Sequence, residues 1–189
     1  MLTSIHPLGE RARNNRWWIT VGAFTLASVV VAAGIGAVLG ALGGLVSIGP
    51  AWAGAIAAVA AILAGGADLA GIRAPGPSRQ VNERWIGEYR GWVYGAGFGA
   101  QLGSGLATFV VTWGIYAVYL AEFLTGEATA GALIGSVFGF GRAGLLIASF
   151  RIDRPSRLLA FNRALASMAR PAHFGIAITM LLVGLGALL

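Results

Sequence analysis

The chain has 189 residues, 57% of them hydrophobic and only 11% charged, with a mean hydropathy of +0.78; a soluble domain is about one-quarter charged, so this chain has too few charges to cover a water-facing surface. Its thirteen basic residues are all arginine and, against seven acids, give a net charge of +6; they fall in separated blocks, the pattern of loops facing anionic lipid rather than of a nucleic-acid-binding patch. Cysteine is absent, which excludes disulfides, thiol redox relays and thiolate metal sites in this chain.

From Trp17 to Ala67 no residue is charged. That run is far longer than the roughly 20 residues that cross a hydrocarbon core, and Ser47-Ile48-Gly49-Pro50 divides it at a tight turn. A first span over 17–45 and a second over 51–72 are expected. The basic start before an apolar run has the outline of a signal peptide, but the run is too long and continues into a second span, so no cleavage is expected. Residues 73–90 read as a polar connector around Pro75, Gly76 and Pro77, with a short surface helix over 78–89. A third span covers 91–120, and an acidic loop follows, in which Glu122 and Glu127 read as solvated acids. The fourth span covers 128–150. A second connector, 151–170, places Leu158, Leu159, Phe161, Leu165 and Met168 on an amphipathic pattern, as a segment lying in the interface would. The fifth span covers 172–189.

The arginines orient these spans. Arg11, Arg13 and Arg16 precede the first; Arg73, Arg79, Arg84 and Arg90 follow the second; Arg151, Arg154, Arg157, Arg163 and Arg170 follow the fourth. Five spans bring every basic block to one side, which places the N-terminus in the cytoplasm and the C-terminus outside. Trp17, Trp18, Trp85, Trp92 and Tyr94 lie near span starts, as interface anchors do. The expected fold is an all-α polytopic bundle of five transmembrane helices, a single domain over 1–189, in a bacterial plasma membrane.

The thirty glycines are ordered. Gly36, Gly40 and Gly44 recur every four residues in the first span, as do Gly131, Gly135 and Gly139 in the fourth, and such small-residue faces let helix backbones approach closely. The third span repeats the pattern at Gly91, Gly95, Gly99 and Gly103 but adds Gly97 and Gly105. Glycine costs about 1 kcal/mol against alanine in an aqueous helix, so Gly95, Gly97, Gly99, Gly103 and Gly105 mark a candidate helix break. A broken backbone at that depth must be shielded by protein or line a polar cavity, and transporters use such interruptions as substrate sites. Gly139-Phe140-Gly141-Arg142-Ala143-Gly144 and Gly95-Ala96-Gly97-Phe98-Gly99-Ala100 spell dinucleotide fingerprints. That motif has meaning only between a strand and a helix, so both are set aside.

Polar residues within the spans are the remaining pointers. Gln101, Ser104, Thr108 and Thr112 form one stripe at helical spacing; they line a solute path or bond a neighbouring helix. Arg142 lies about 13 Å from the end of the fourth span, counting 1.5 Å per residue. Asp68, near the end of the second span, is a candidate partner for it, although Asp68 could equally pair with Arg73 and Arg142 could snorkel. His6 reads as part of an N-terminal tail and His173 as an interface residue. No catalytic constellation, metal-ligand cluster or cofactor motif stands out, so a non-enzyme without metal, cofactor or nucleic-acid partner is expected.

Tyr94-Gly95-Ala96-Gly97-Phe98-Gly99-Ala100-Gln101-Leu102-Gly103-Ser104-Gly105, Val137-Phe138-Gly139-Phe140-Gly141-Arg142 and Phe174-Gly175-Ile176 through Gly186 together resemble the second half of the membrane domain of the DsbD/CcdA family, in the broader group that includes LysE-type exporters. The resemblance covers about two-thirds of the chain by pattern. It implies two inverted repeats of three spans, here short of one, which would account for a cytoplasmic N-terminus. Members that carry electrons use a cysteine in each repeat; this chain has none, and Gln101 to Ser104 stand where the second would be. What remains is a small-solute transporter or exporter-like protein, completed by a homodimer or a membrane partner. The competing expectation is a non-catalytic membrane subunit or scaffold that meets its partner through glycine-rich helix faces.

Overall fold

The computed structural model describes residues 5–46, 48–77, 84–108 and 110–188, and every regular element among them is helical. They are α1 (Pro7–Ala12), α2 (Trp17–Val46), α3 (Pro50–Leu69), α4 (Trp85–Glu88), α5 (Gly91–Gly103), α6 (Gly114–Leu124), α7 (Ala128–Ala148) and α8 (Pro155–Gly186), with a 3₁₀ turn, Ser149–Arg151, after α7. Proline opens α1, α3 and α8, where its missing N–H would have no helical partner. Gly126, in the left-handed region at φ +65°, turns the chain between α6 and α7.

Among the described residues, four helices are long and apolar enough to cross a membrane: Trp17–Val46, Pro50–Leu69, Ala128–Arg151 with its 3₁₀ turn, and Pro155–Gly186. Their outward faces carry large apolar side chains such as Leu45, Trp52, Leu133, Val137 and Leu182. Water would penalise apolar exposure on that scale, and lipid would not.

The packing is built around α2. Its Ser28, Ala32, Gly36 and Gly40 face Gly139, Gly135, Gly131 and Glu127 in turn, so α7 runs antiparallel to it. Its Thr20, Phe24 and Ser28 face Gly95, Gly99 and Gly103, so α5 runs parallel. A methyl group built on Gly99 would lie 2.1 Å from the Phe24 carbonyl oxygen; only glycine permits this approach. Phe24, Tyr94, Phe98, Ala143 and Leu146 close the core between these three helices. A second pair, α3 and α8, packs antiparallel, with Gly65 on Ala177 and Gly184 on Ala58. Between the trio and the pair lies α6, which packs on α2, α3 and α7.

Three expectations change. The third span is not one helix: α5 stops at Gly103, α6 starts at Gly114, and the two halves together follow α2 from Thr20 to Gly43. The break also lies later than the glycines suggest. Gly95, Gly97, Gly99 and Gly103 are helical, and only Gly105 lies in the interruption. Inside a bundle a helical glycine keeps its backbone hydrogen bonds and gains close contact, so the penalty measured in water does not decide where the helix ends. Finally, 151–170 is not a separate interfacial segment. From Pro155 it is continuous with the fifth span in one 32-residue helix, about 48 Å long at 1.5 Å per residue. Pro171 sits inside that helix; it removes one backbone donor without ending the run. Of the expected surface helix, Trp85–Glu88 is helical and 78–83 lie outside the described residues.

The interruption between α5 and α6 as candidate functional site

Ser104 ends α5 by turning its hydroxyl inward, donating to the Gln101 carbonyl at 2.8 Å and accepting from the Ala107 N–H at 3.1 Å. Such local bonds offer the backbone an alternative to another helical turn. Gly105 follows at φ +68°, and a methyl group there would lie 2.8 Å from the Tyr119 hydroxyl. Both conditions call for glycine. The freed Ser104 carbonyl accepts a hydrogen bond from Tyr119, so α6 reaches back to satisfy the end of α5.

The far side of the interruption is held by Asp68, near the C-terminus of α3. Its carboxylate accepts from the Thr112 hydroxyl and, at 3.0 Å, from the Trp113 N–H. Thr112 in turn accepts from the Gly114 N–H at 3.0 Å. A carboxylate and a hydroxyl thereby cap orphan donors at the start of α6, where the helix dipole also favours negative charge. The segment after α3 is tied to the same place: Trp113 Nε1–H donates to the Ile72 carbonyl at 2.9 Å, and the Tyr116 hydroxyl to that of Pro75. His173 of α8 places Nε2 3.2 Å from the Asp68 carbonyl oxygen.

The residues singled out from the sequence are therefore only partly united. Asp68 and Thr112 meet, and Gln101 and Ser104 meet through the Gln101 carbonyl. Thr108 is buried in the interruption. The four do not form one helical stripe, because the helix that would align them stops at Gly103. Asp68 and Arg142 do not pair: Asp68 is engaged with α6, and the Arg142 guanidinium lies 5.4 Å from the centre of the Phe138 ring on its own helix. Arg142 Nε has no hydrogen-bond partner among the described residues.

Two acids differ from their sequence reading or escaped it. Glu122 is not a solvated loop residue. It lies in α6 with 0% of its surface exposed, and neither carboxylate oxygen has a partner among the described residues. Glu10, on α1, is equally buried but fully engaged. It accepts from Arg13 at 2.6 Å, from Thr20 at 2.8 Å and from Tyr94. This cluster draws the N-terminal segment into the bundle, with Ile5 in the core and His6 capping α1 through the Gly9 N–H at 3.1 Å. Burial, then the neighbouring Arg13 charge, push the His6 imidazole below its ordinary range, and Glu10 pulls weakly the other way. The sequence did hold one signal for α1: Pro7 at a first helical position with Glu10 in the first turn. Among the described residues no group of three or more His, Cys, Asp or Glu could hold a metal ion.

The chain is similar to two curated proteins. One is the methylamine utilization protein MauF of Paracoccus versutus, 28% identical over 147 residues, which cover 75% of this chain and 54% of that protein. The other is MauF of Methylorubrum extorquens, 34% identical over 112 residues, 57% of this chain and 39% of that protein. The chain thus spans about half the length of the curated relatives it matches, or less. No protein-family model matches it, and no solved structure does.

Proposed function

We propose that the chain is a five-crossing protein of a bacterial plasma membrane, with its N-terminus in the cytoplasm, that moves a small solute past its divided third crossing. The observation that carries this reading is the interruption itself. Residues 104–108 and 110–113 are unwound between two half-helices inside an apolar bundle, and their freed groups are met by Ser104, Thr112, Asp68 and Tyr119. Transporters place solute sites at such half-helix ends. The arginine blocks support the orientation. The resemblance to the DsbD/CcdA group belongs to the same proposal, without thiol chemistry.

Both relatives are named for methylamine utilization, so small amines are the first solutes to test. Proteoliposomes of the purified chain would be loaded with radiolabelled methylammonium and efflux followed. The reading predicts protein-dependent flux that Gln101→Leu and Arg142→Ala reduce. Flux untouched by both substitutions removes the path from this site.

A second reading is a membrane subunit without transport. It is favoured by how thoroughly the interruption is paired within the chain: Asp68 with Thr112 and Trp113, Tyr119 with Ser104. Its partner surface is not the glycine repeats, which α2, α5 and α7 use on one another. It would be an apolar outer face such as that of α8, where Ile178, Leu182 and Val183 are exposed. Purification with one constant partner and no flux alone favours this reading over the first.

A further inference from the structure

We propose that Glu122 is a proton-binding carboxyl inside the bundle, exchanging its proton through the interruption beside Ser104. Its side chain is fully buried and neither oxygen has a partner among the described residues. An ionised carboxylate left so would cost several kcal/mol, and in practice a group in this position takes up a proton instead. The surrounding helices are shaped to admit the side chain. A methyl group on Gly36 would lie 3.2 Å from the Glu122 carboxyl carbon, and Gly131 abuts Gly36 from α7.

The groups that face Glu122 explain why the proton can stay and how it can leave. From α2 comes Gly36, which brings no charge; one turn on, Gly40 meets the Glu127 main-chain carbonyl and the Thr125 hydroxyl instead. On α6 itself Tyr119 stands one turn earlier, on the same helix face, and its hydroxyl bonds the Ser104 carbonyl at the interruption. From α7 comes Gly131, which abuts Gly36; Arg142 lies further along α7, within electrostatic reach of Tyr119. Across the α3–α6 contact Asp68 stands at the opposite end of α6, bonded to Thr112. Glu122 is thus a lone acid, with the Tyr119 hydroxyl one turn away linking its surroundings to unwound polar backbone. This inference rests on the burial of Glu122 and not on solute transport, so its test reads the carboxyl whether or not any flux is found.

The full chain in phosphatidylcholine–phosphatidylglycerol vesicles would be treated with dicyclohexylcarbodiimide. This apolar reagent needs an un-ionised acid: the carboxyl proton passes to a carbodiimide nitrogen as the carboxyl oxygen bonds its central carbon. Peptide mass mapping should find the adduct at Glu122 near neutral pH, declining as pH rises and lost in Glu122→Gln, while the solvated Asp153 stays unlabelled. In the untreated wild type, the infrared band of a protonated carboxyl should bleach reversibly with rising pH and be missing from Glu122→Gln. No adduct at Glu122, or a wild-type carboxyl band that is absent or unmoved by pH, overturns the proposal. The wild-type readouts decide the matter even if the variant does not fold.

Discussion

The carboxylate of Asp68, near the end of α3, accepts the backbone N–H of Trp113 at 3.0 Å, so one helix caps the beginning of another, 45 residues away in sequence. Removing that acceptor strands the Trp113 N–H and the Thr112 hydroxyl together. Asp68→Ala should cost about 1.5–3 kcal/mol, the usual worth of hydrogen bonds to a charged group. Asp68→Asn, which keeps a carbonyl acceptor, should cost less. Thermal unfolding of the purified chain, followed by tryptophan fluorescence, checks both the size and the order.

Gly131 and Gly141 make a matched pair on α7. A methyl group on Gly131 would lie 2.1 Å from the Gly36 carbonyl oxygen, whereas one on Gly141 meets nothing within 4 Å. Gly131→Ala should therefore lower stability by about 1–3 kcal/mol or more through overpacking. Gly141→Ala should be neutral or gain about 0.5–1 kcal/mol from helix propensity. The same thermal assay separates them, and equal behaviour would dissolve the backbone contact.

Acidification should loosen α1. The folded His6 pKa is depressed, so the unfolded state binds more protons across that interval and stability rises with pH. The His6 contribution is fully present above the ordinary histidine value of 6.5 and is lost as pH falls through the lowered folded value. Hydrogen exchange over residues 5–12 should rise on that fall. His6→Asn, which keeps a side-chain cap but does not titrate there, should flatten the response.

A topology reporter distinguishes five crossings from four. If α5 and α6 together count as a crossing, alkaline phosphatase fused at the C-terminus is active and a cytoplasmic fluorescent reporter there is dark. The opposite result leaves α5 and α6 as a re-entrant pair.

The span-length helices were readable because apolar run length is a strong signal, and Trp17–Val46 and Ala128–Ala148 fall close to their expected bounds. The four-residue glycine spacing was readable as packing because it is a property of one helix face. What the sequence hid depends on neighbours distant in the chain. Glu122 looks like a loop acid because Gly126 and Glu127 follow it, but α6 runs on to Leu124 and turns the side chain toward Gly36. The helix break was legible in kind and displaced in position, because it is set by Ser104, Gly105, Asp68, Thr112 and Tyr119 rather than by the glycines within α5. Glu10 was missed because its three partners come from α2, α5 and its own segment, which only folding assembles.

The division of the bundle has a mechanical consequence. The trio of α2, α5 and α7 is interlocked at four-residue steps, so its members cannot slide past one another by less than about one helical turn, near 5.4 Å. The α3–α8 pair has no such lock on α2 and joins the trio chiefly through α6. Any rocking of the pair against the trio would load the joint at Asp68 and Trp113, the bond by which α3 holds the start of α6.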